Sequence, residues 1–231
     1  MASCAHAQPT ICGRATIGGS TVRRLFLCAG IVSPALWLGL IAVASVLQPG
    51  FSPVTHFISE LAARGSTHEG LMRYVAFGFT GFLYLCFAIG LVATFRSRRT
   101  FVVAASLIAV EGIGRMGAGV FPCDQGCIPI SAGPDLHKLF ATIGFSAGIL
   151  AAMSWGVLMR RLRGFEWLSW PSIGSGLVAL VSLLIMTWRE HPFAGLLEHI
   201  ATLVLSLWLL TFAWTAHNQS LGNSRAPAKL M

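Results

Sequence analysis

The chain has 231 residues, of which 55% are hydrophobic and only 10% are charged. A soluble domain carries roughly 25% charged residues, so this composition excludes an ordinary water-exposed surface and indicates that lipid is the solvent for much of the protein. The formal net charge at pH 7 is +8. The basic residues nevertheless occur in short clusters between apolar segments, a pattern that sets membrane topology, and we therefore expect no nucleic acid partner.

The chain contains six apolar runs, each close to the length of about 20 residues that crosses a bilayer as a helix. Helix is predicted throughout, because backbone groups in lipid must form hydrogen bonds within their own segment. We therefore expect an all-α polytopic membrane protein built as a bundle of six transmembrane helices. Residues 23–217 form this domain, between flexible cytoplasmic tails at residues 1–22 and 218–231. The predicted spans are Leu25–Leu47, Met72–Phe95, Phe101–Phe121, Leu139–Met159, Pro171–Trp188 and Phe193–Thr215.

The distribution of charge between the spans predicts the orientation. Arginines cluster in the connections at residues 96–99 and 160–163, on the same side as both termini, whereas most acidic residues fall on the other side. Cytoplasmic loops carry the excess of Lys and Arg. We expect a multi-pass protein of the inner (cytoplasmic) membrane with both termini in the cytoplasm, and any functional site is expected to open outward.

The first outer loop predicts a short amphipathic helix. Ser52 can cap it and Gly65 can end it, and His56, Glu60 and Arg64 are spaced four residues apart, which places them on one helical face. One interpretation is a polar lid or a set of site residues over the mouth of the bundle. The other is an interfacial helix with ordinary pairs between neighbouring turns.

Glu111 and Arg115 share one face of the third span, close to the middle of the membrane. A charge there costs at least about 2.5 kcal/mol on insertion scales, so such residues usually face the interior and mark function. The pair is predicted either to line a polar cavity or to fix helix packing. Small residues beside it allow neighbouring helices to approach closely; they are Gly112, Gly114, Gly117 and Gly119.

Cys123 and Cys127 lie in the second outer loop, which faces an oxidising compartment in bacteria. A disulfide is therefore predicted, with metal ligation as the alternative. Further along, His137 opens the fourth span, and the pair Glu198 and His199 lies near the outer end of the sixth.

The depths of these side chains predict that His137, Glu198, His199, Asp124 and Arg115 converge at one outer level of the bundle. Histidines and carboxylates can hold a divalent metal, but no local His spacing supports this, so His137 and His199 are only weak metal candidates. Interfacial anchoring is the alternative for each histidine. We expect no metal and no cofactor.

Three motifs together resemble the bacterial and archaeal membrane family catalogued as domain of unknown function 998. They are Phe51-Ser-Pro-Val-Thr-His-Phe-Ile-Ser-Glu-Leu-Ala-Ala-Arg-Gly65, Gly114-Arg-Met-Gly-Ala-Gly-Val-Phe-Pro-Cys-Asp124 and Asp135-Leu-His137. The resemblance covers about residues 25–215 and implies a six-span bundle without an assigned activity. A looser likeness to Frag1/DRAM-type six-span proteins is carried by Ile58-Ser-Glu60.

We therefore expect a six-span protein that binds a lipid or small molecule in an outward-facing polar pocket, with the bilayer as its other partner. The alternatives are a membrane-embedded hydrolase or transferase acting on lipid-linked substrates, and a small transporter. The expected binding residues are Ser59, Glu60, Arg64, Glu111, Arg115, Asp124, His137, Glu198 and His199. The catalytic candidates for the enzyme alternative are Glu60, Asp124, His137 and His199.

Overall fold

The computed structural model describes residues 17–95, 98–127, 135–188 and 192–225. Six of its helices are long and apolar enough to cross a membrane, which confirms the predicted fold class. In chain order we number them α1 (Ile17–Leu47), α2 (Leu71–Phe95), α3 (Arg99–Val120), α4 (Leu136–Met159), α5 (Ser169–Trp188) and α6 (Ala194–Arg225).

The helices form a closed ring. Each packs against its neighbours in sequence, and α6 completes the ring by packing against α1. Because the chain passes up and down, α2 ends and α3 begins at one end of the bundle, which also holds the α4–α5 connection. We call this the arginine-rich end, after Arg98, Arg99 and residues 160–163, and the opposite end the capped end.

A cluster of aromatic side chains fills the half of the bundle nearer the arginine-rich end. The rings pack edge to face, tilted or stacked at centroid distances between 4.7 Å (Trp155–Phe212) and 6.1 Å (Phe165–Phe212), within the range at which aromatic pairs stabilise a core. Its members are Phe87, Phe95, Phe101, Trp155, Phe165, Trp208 and Phe212. The polar residues singled out from the sequence lie in the other half of the bundle.

Helix α2 departs from regular α-helix at its start, and helix α1 contains a proline. Helix α2 starts as a π-helical segment, Leu71–Phe79, a rare conformation that often marks functional positions. Helix α1 contains Pro34, which lacks a backbone donor. Just before it, the Ser33 hydroxyl donates to the Thr80 carbonyl across the helix pair, at 2.9 Å.

The first loop differs from the predicted amphipathic helix. Only Ile58–Ala62 is helical, as a 3₁₀ turn, and most of its residues are buried; we call it the cap. His56, Glu60 and Arg64 do not share a face, because turns replace the α-helix before the cap and Arg64 lies beyond its end. The cap is therefore a short helical turn that is buried at the end of the bundle.

After the cap, the loop is anchored to α2 and α3 through Glu69 and Arg73. The Gly65 backbone N–H donates to Glu69 at 2.9 Å, and Arg73 pairs with Glu69 at 2.7 Å. These contacts, the Gly65 N–H first, hold the pKa of the Glu69 carboxyl below its usual range. Arg73 also donates to the Gly119 carbonyl at 3.0 Å, so one side chain ties the start of α2 to the end of α3.

The end of α6 also differs from expectation. The helix continues to Arg225, so residues 218–225, assigned above to a tail, are helical. Helix α1 likewise begins at Ile17, within the predicted N-terminal tail. Hydropathy marks where the lipid-facing segment stops, whereas the backbone can remain helical into water. Residues 1–16 and 226–231 lie outside the described part of the chain.

Glycines set the distance between α3 and α4. A Cβ atom added at Gly114 would lie 2.6 Å from the backbone nitrogen of Gly144 and 2.7 Å from the Phe140 carbonyl oxygen. No side chain fits there, and both neighbours are backbone atoms that cannot move independently. This close approach is what the small residues of the two spans predicted.

Gly114→Ala is therefore expected to lower the stability of the bundle by about 1–3 kcal/mol, the usual cost of overpacking. Gly39→Ala in α1 is the matched control, because an added Cβ there meets nothing within 4 Å. Thermal unfolding of both variants in the same detergent measures the effect. Equal midpoints for the two variants would contradict the packing described here.

Candidate functional site

The half of the bundle nearer the capped end encloses a chamber of about 60 Å³. A buried water requires roughly 10–15 Å³, so this space holds about four waters or a small polar group. Its walls come from α1, α2, α3, α4, α6 and the cap. The lining residues are Trp37, Ile58, Ser59, Phe77, Glu111, Arg115, Ala118, His137, Ala141, Gly144, Phe145, Glu198, Thr202 and Leu205.

Arg115 is the most elaborately held side chain in the chamber. Its guanidinium carbon lies 4.3 Å from the centre of the Trp37 ring and 4.7 Å from that of Tyr84, within the range for cation–π attraction. The Nη2 atom contacts Glu111 at 3.5 Å and donates to the Tyr84 hydroxyl at 3.3 Å. Three helices therefore hold one guanidinium group in place.

One edge of this guanidinium has no partner. Arg115 Nη1 is buried and makes no hydrogen bond to any described residue. The same is true of two other donors on chamber-lining residues, Trp37 Nε1 and Thr202 Oγ1. An unpaired buried donor costs roughly 1–3 kcal/mol, and more when it is charged. Water or any other molecule that carries hydrogen-bond acceptors would pair with these donors.

The predicted pair of Glu111 and Arg115 is present, and α4 leaves room for it. The Glu111 side chain lies against Gly148, where an added Cβ would come within 2.9 Å of the carboxylate carbon and of Oε2. Any larger residue at position 148 would displace the carboxylate that holds Arg115. The stripe of small residues on α4 therefore serves the ion pair as well as helix packing.

His137 faces the chamber from the first turn of α4. Its Nδ1 lies 3.0 Å from the Ala118 carbonyl oxygen and 2.9 Å from that of Phe121. Carbonyls only accept, so Nδ1 carries the proton and donates to the open end of α3. In the neutral ring this tautomer leaves Nε2 as a lone-pair acceptor. His137 therefore combines an anchoring contact with a free basic atom.

Glu198 connects the chamber to the cap. Its Oε2 accepts the backbone N–H of Ile58 at 2.8 Å, and within the cap region Glu60 accepts the Phe57 N–H, also at 2.8 Å. Neither carboxylate forms an ion pair with a described residue. Glu198 thus lines the chamber, and its one hydrogen bond among the described residues comes from the backbone N–H of Ile58.

The second loop fastens the cap from outside. Cys123 and Cys127 form a disulfide, with their Cα atoms 4.9 Å apart. The Ser59 hydroxyl lies 3.1 Å from Cys127 Sγ, and the Arg64 backbone N–H donates to the Cys123 carbonyl at 3.2 Å. Because Ser59 also lines the chamber, this loop supports one of its walls.

Five of the predicted binding residues line the chamber and four do not. The five are Ser59, Glu111, Arg115, His137 and Glu198. Of the others, Glu60 caps the turn, and Arg64 pairs with Asp124 at 3.7 Å on the surface. His199 turns its Nδ1 to the Gly195 carbonyl at 2.8 Å and lies outside the chamber. Matching depth along a helix did not reveal the direction in which each side chain points.

The residues missed from the sequence are mainly aromatic. Trp37, Tyr84 and Phe77 surround Arg115 and the chamber, yet within apolar spans they resemble ordinary core residues. No group of three or more metal-binding side chains lies together among the described residues. Within the described ranges, no third metal-binding side chain therefore accompanies His137 or His199.

The ring of six apolar helices defines a six-span membrane protein, with a chamber among its helices. The chain belongs to the family described as protein of unknown function (DUF998), whose model matches residues 31–215. This confirms the resemblance drawn from the loop motifs. No curated protein and no solved structure matches the chain significantly.

The disulfide leads to a test. When thiols are trapped by alkylation in intact cells, Cys123 and Cys127 are expected to remain unlabelled until a reductant is added. Cys28, a free thiol of α1, is the internal reference and is expected to label in denatured protein without reduction. Closing so short a loop stabilises by roughly 2 kcal/mol, so reduction should lower the unfolding temperature. Full labelling of both cysteines without reductant would contradict the bridge.

Proposed function

We propose that this protein binds a small molecule or a lipid head group in the chamber, with an anionic group of the ligand on Arg115. The observation that carries the proposal is the unpaired Nη1 edge of a guanidinium that is otherwise fixed by Glu111, Tyr84 and Trp37. A fixed, desolvated guanidinium is well suited to carboxylate or phosphate. The chamber volume admits a head group and leaves any acyl chain outside it.

The proposed site faces the outside of the cell, in the inner membrane of a bacterium. The arginine-rich connections support this orientation through the preference of Lys and Arg for the cytoplasmic side. The disulfide supports it independently, since disulfides persist in oxidising compartments. The alkylation experiment above therefore also bears on which side the capped end occupies.

Removing the charge of Arg115 is expected to abolish anion binding. Because Arg115→Gln alone would leave Glu111 buried without its cation, the informative variant is Glu111→Gln combined with Arg115→Gln. A charged hydrogen bond contributes about 1.5–3 kcal/mol, so affinity should fall about 10- to 100-fold. Thermal shift with propionate, phosphate and short amino acids at constant ionic strength measures this.

Arg64→Gln is the matched control, because Arg64 is an arginine of the capped end that does not line the chamber. It is expected to bind every probe as the wild type does. If no anion-bearing probe, zwitterions included, stabilises the wild-type protein, the proposed function fails. An equal loss of affinity in the control and in the double variant would show that anion binding depends on the overall charge and not on Arg115.

A second candidate is a membrane-embedded hydrolase or transferase, and the observation that favours it is the free Nε2 of His137. A basic nitrogen in the same chamber as a guanidinium can remove a proton while Arg115 holds an anionic head group. Among the four catalytic candidates, His137 is the one that lines the chamber. The transporter alternative gains no such support, because aromatic side chains fill the described interior beyond the chamber.

For the enzyme, His137→Gln is expected to abolish product formation while leaving ligand binding within about threefold. Glutamine retains a side-chain N–H for the Ala118 carbonyl but supplies no base of comparable strength. Mass spectrometry of lipids after incubation with purified protein measures turnover. If turnover persists in this variant, His137 is not the base of the reaction. If the wild-type protein shows no turnover, ligand binding remains as the proposed function.

A further inference from the structure

We propose that the occupant of the chamber is a zwitterion, with its anionic group on Arg115 and a primary ammonium on Glu198. This inference rests on the proposed function and adds the chemical class of the ligand. Its basis is the charge of the lining, where Glu111 and Arg115 offset each other across 3.5 Å and Glu198 has no matching cation.

The surroundings of Glu198 favour a cation. Its Oε2 accepts one backbone N–H, from Ile58 at 2.8 Å, whereas an ionised carboxylate offers about four acceptor positions. The charged group that acts on it from the neighbouring cap region is Glu60, another acid. No ion pair joins Glu198 to any residue within the described ranges.

Ligands with a single charge fit this chamber less well. A simple anion would satisfy Arg115 Nη1 but would place a further negative charge beside Glu111 and Glu198. A simple cation would satisfy Glu198 but leave the Nη1 edge of Arg115 unpaired. A buried charge without a partner is strongly unfavourable. A zwitterion is the one class that matches both groups without adding net charge.

The ammonium is expected to be primary because the lining offers several acceptors in a small space. A primary ammonium carries three N–H donors, and His137 Nε2 is available as an acceptor besides Glu198. A quaternary ammonium has no N–H to donate, so it would leave these acceptors without a donor. A free amino acid and an ethanolamine phosphate head group both fit this description, because each carries an amine a few bonds from a carboxylate or phosphate.

The experiment compares probes that differ by one group. Glycine, β-alanine and 4-aminobutyrate vary the separation of the two charges. Acetate, propionate and butyrate lack the amine, and propylamine lacks the acid. For wild-type protein in detergent, the best amino acid is expected to bind about 10- to 100-fold more tightly than the carboxylate of the same length, the usual gain from a charged hydrogen bond.

Glu198→Gln is expected to abolish this preference while keeping carboxylate binding, because glutamine can still accept the Ile58 N–H. Glu69→Gln, which changes a carboxylate outside the chamber, is the matched control and should retain the preference. If the first variant does not fold, the wild-type ratio of amino acid to carboxylate still decides the question.

Reconstitution in lipid distinguishes a lipid head group from a soluble ligand. Wild-type protein is reconstituted in nanodiscs of phosphatidylethanolamine, phosphatidylcholine or phosphatidylglycerol. Stabilisation specific to phosphatidylethanolamine and lost in Glu198→Gln identifies a head group, whereas an effect of free amino acids alone identifies a soluble ligand. If neither the amino acids nor phosphatidylethanolamine outperforms its purely anionic analogue, the zwitterion inference is overturned and anion binding stands. Absence of all binding overturns the proposed function instead.

Discussion

The ion pair between Glu111 and Arg115 is the constraint around which this half of the bundle is arranged. Two charges inside a lipid-embedded helix are tolerated only when their partners are supplied by protein, since the bilayer supplies none. Helices α1 and α2 contribute the Trp37 and Tyr84 rings, and α4 contributes the gap at Gly148. Three neighbouring helices thereby acquire fixed positions relative to α3, and the chamber is the space that remains beside the unpaired guanidinium edge.

The bundle is divided into two halves with different packing. Near the arginine-rich end, large aromatic rings interlock in the core. Near the capped end, apolar side chains such as Trp37 and Phe77 pack beside the Glu111–Arg115 pair, and a buried 3₁₀ turn covers the opening. Under the proposed function, the aromatic half holds the helices together while the other half keeps the unpaired polar atoms that would meet the ligand.

The spans and the Glu111–Arg115 pair were predictable because they depend on length, hydropathy and the 3.6-residue period alone. The positions of the glycines likewise predicted close helix contact. The cap was not predictable, since spacing by four residues implies a face only if the backbone is α-helical, and burial of Ile58 and Leu61 instead favours a tighter turn. His199 does not line the chamber with His137 for a similar reason. Adjacent residues on a helix point about 100° apart, so Glu198 and His199 share a depth without sharing a cavity.

The hydrogen bond from the Ile58 N–H to Glu198 has a consequence for kinetics. The same carboxylate closes the cap and faces the chamber, so a ligand cation that takes over its oxygen atoms competes with the bond that keeps the cap seated. If the proposed ligand occupies the chamber, its exchange with the surroundings depends on how often the cap lifts. Association slower than the diffusion limit and a long residence time are then expected.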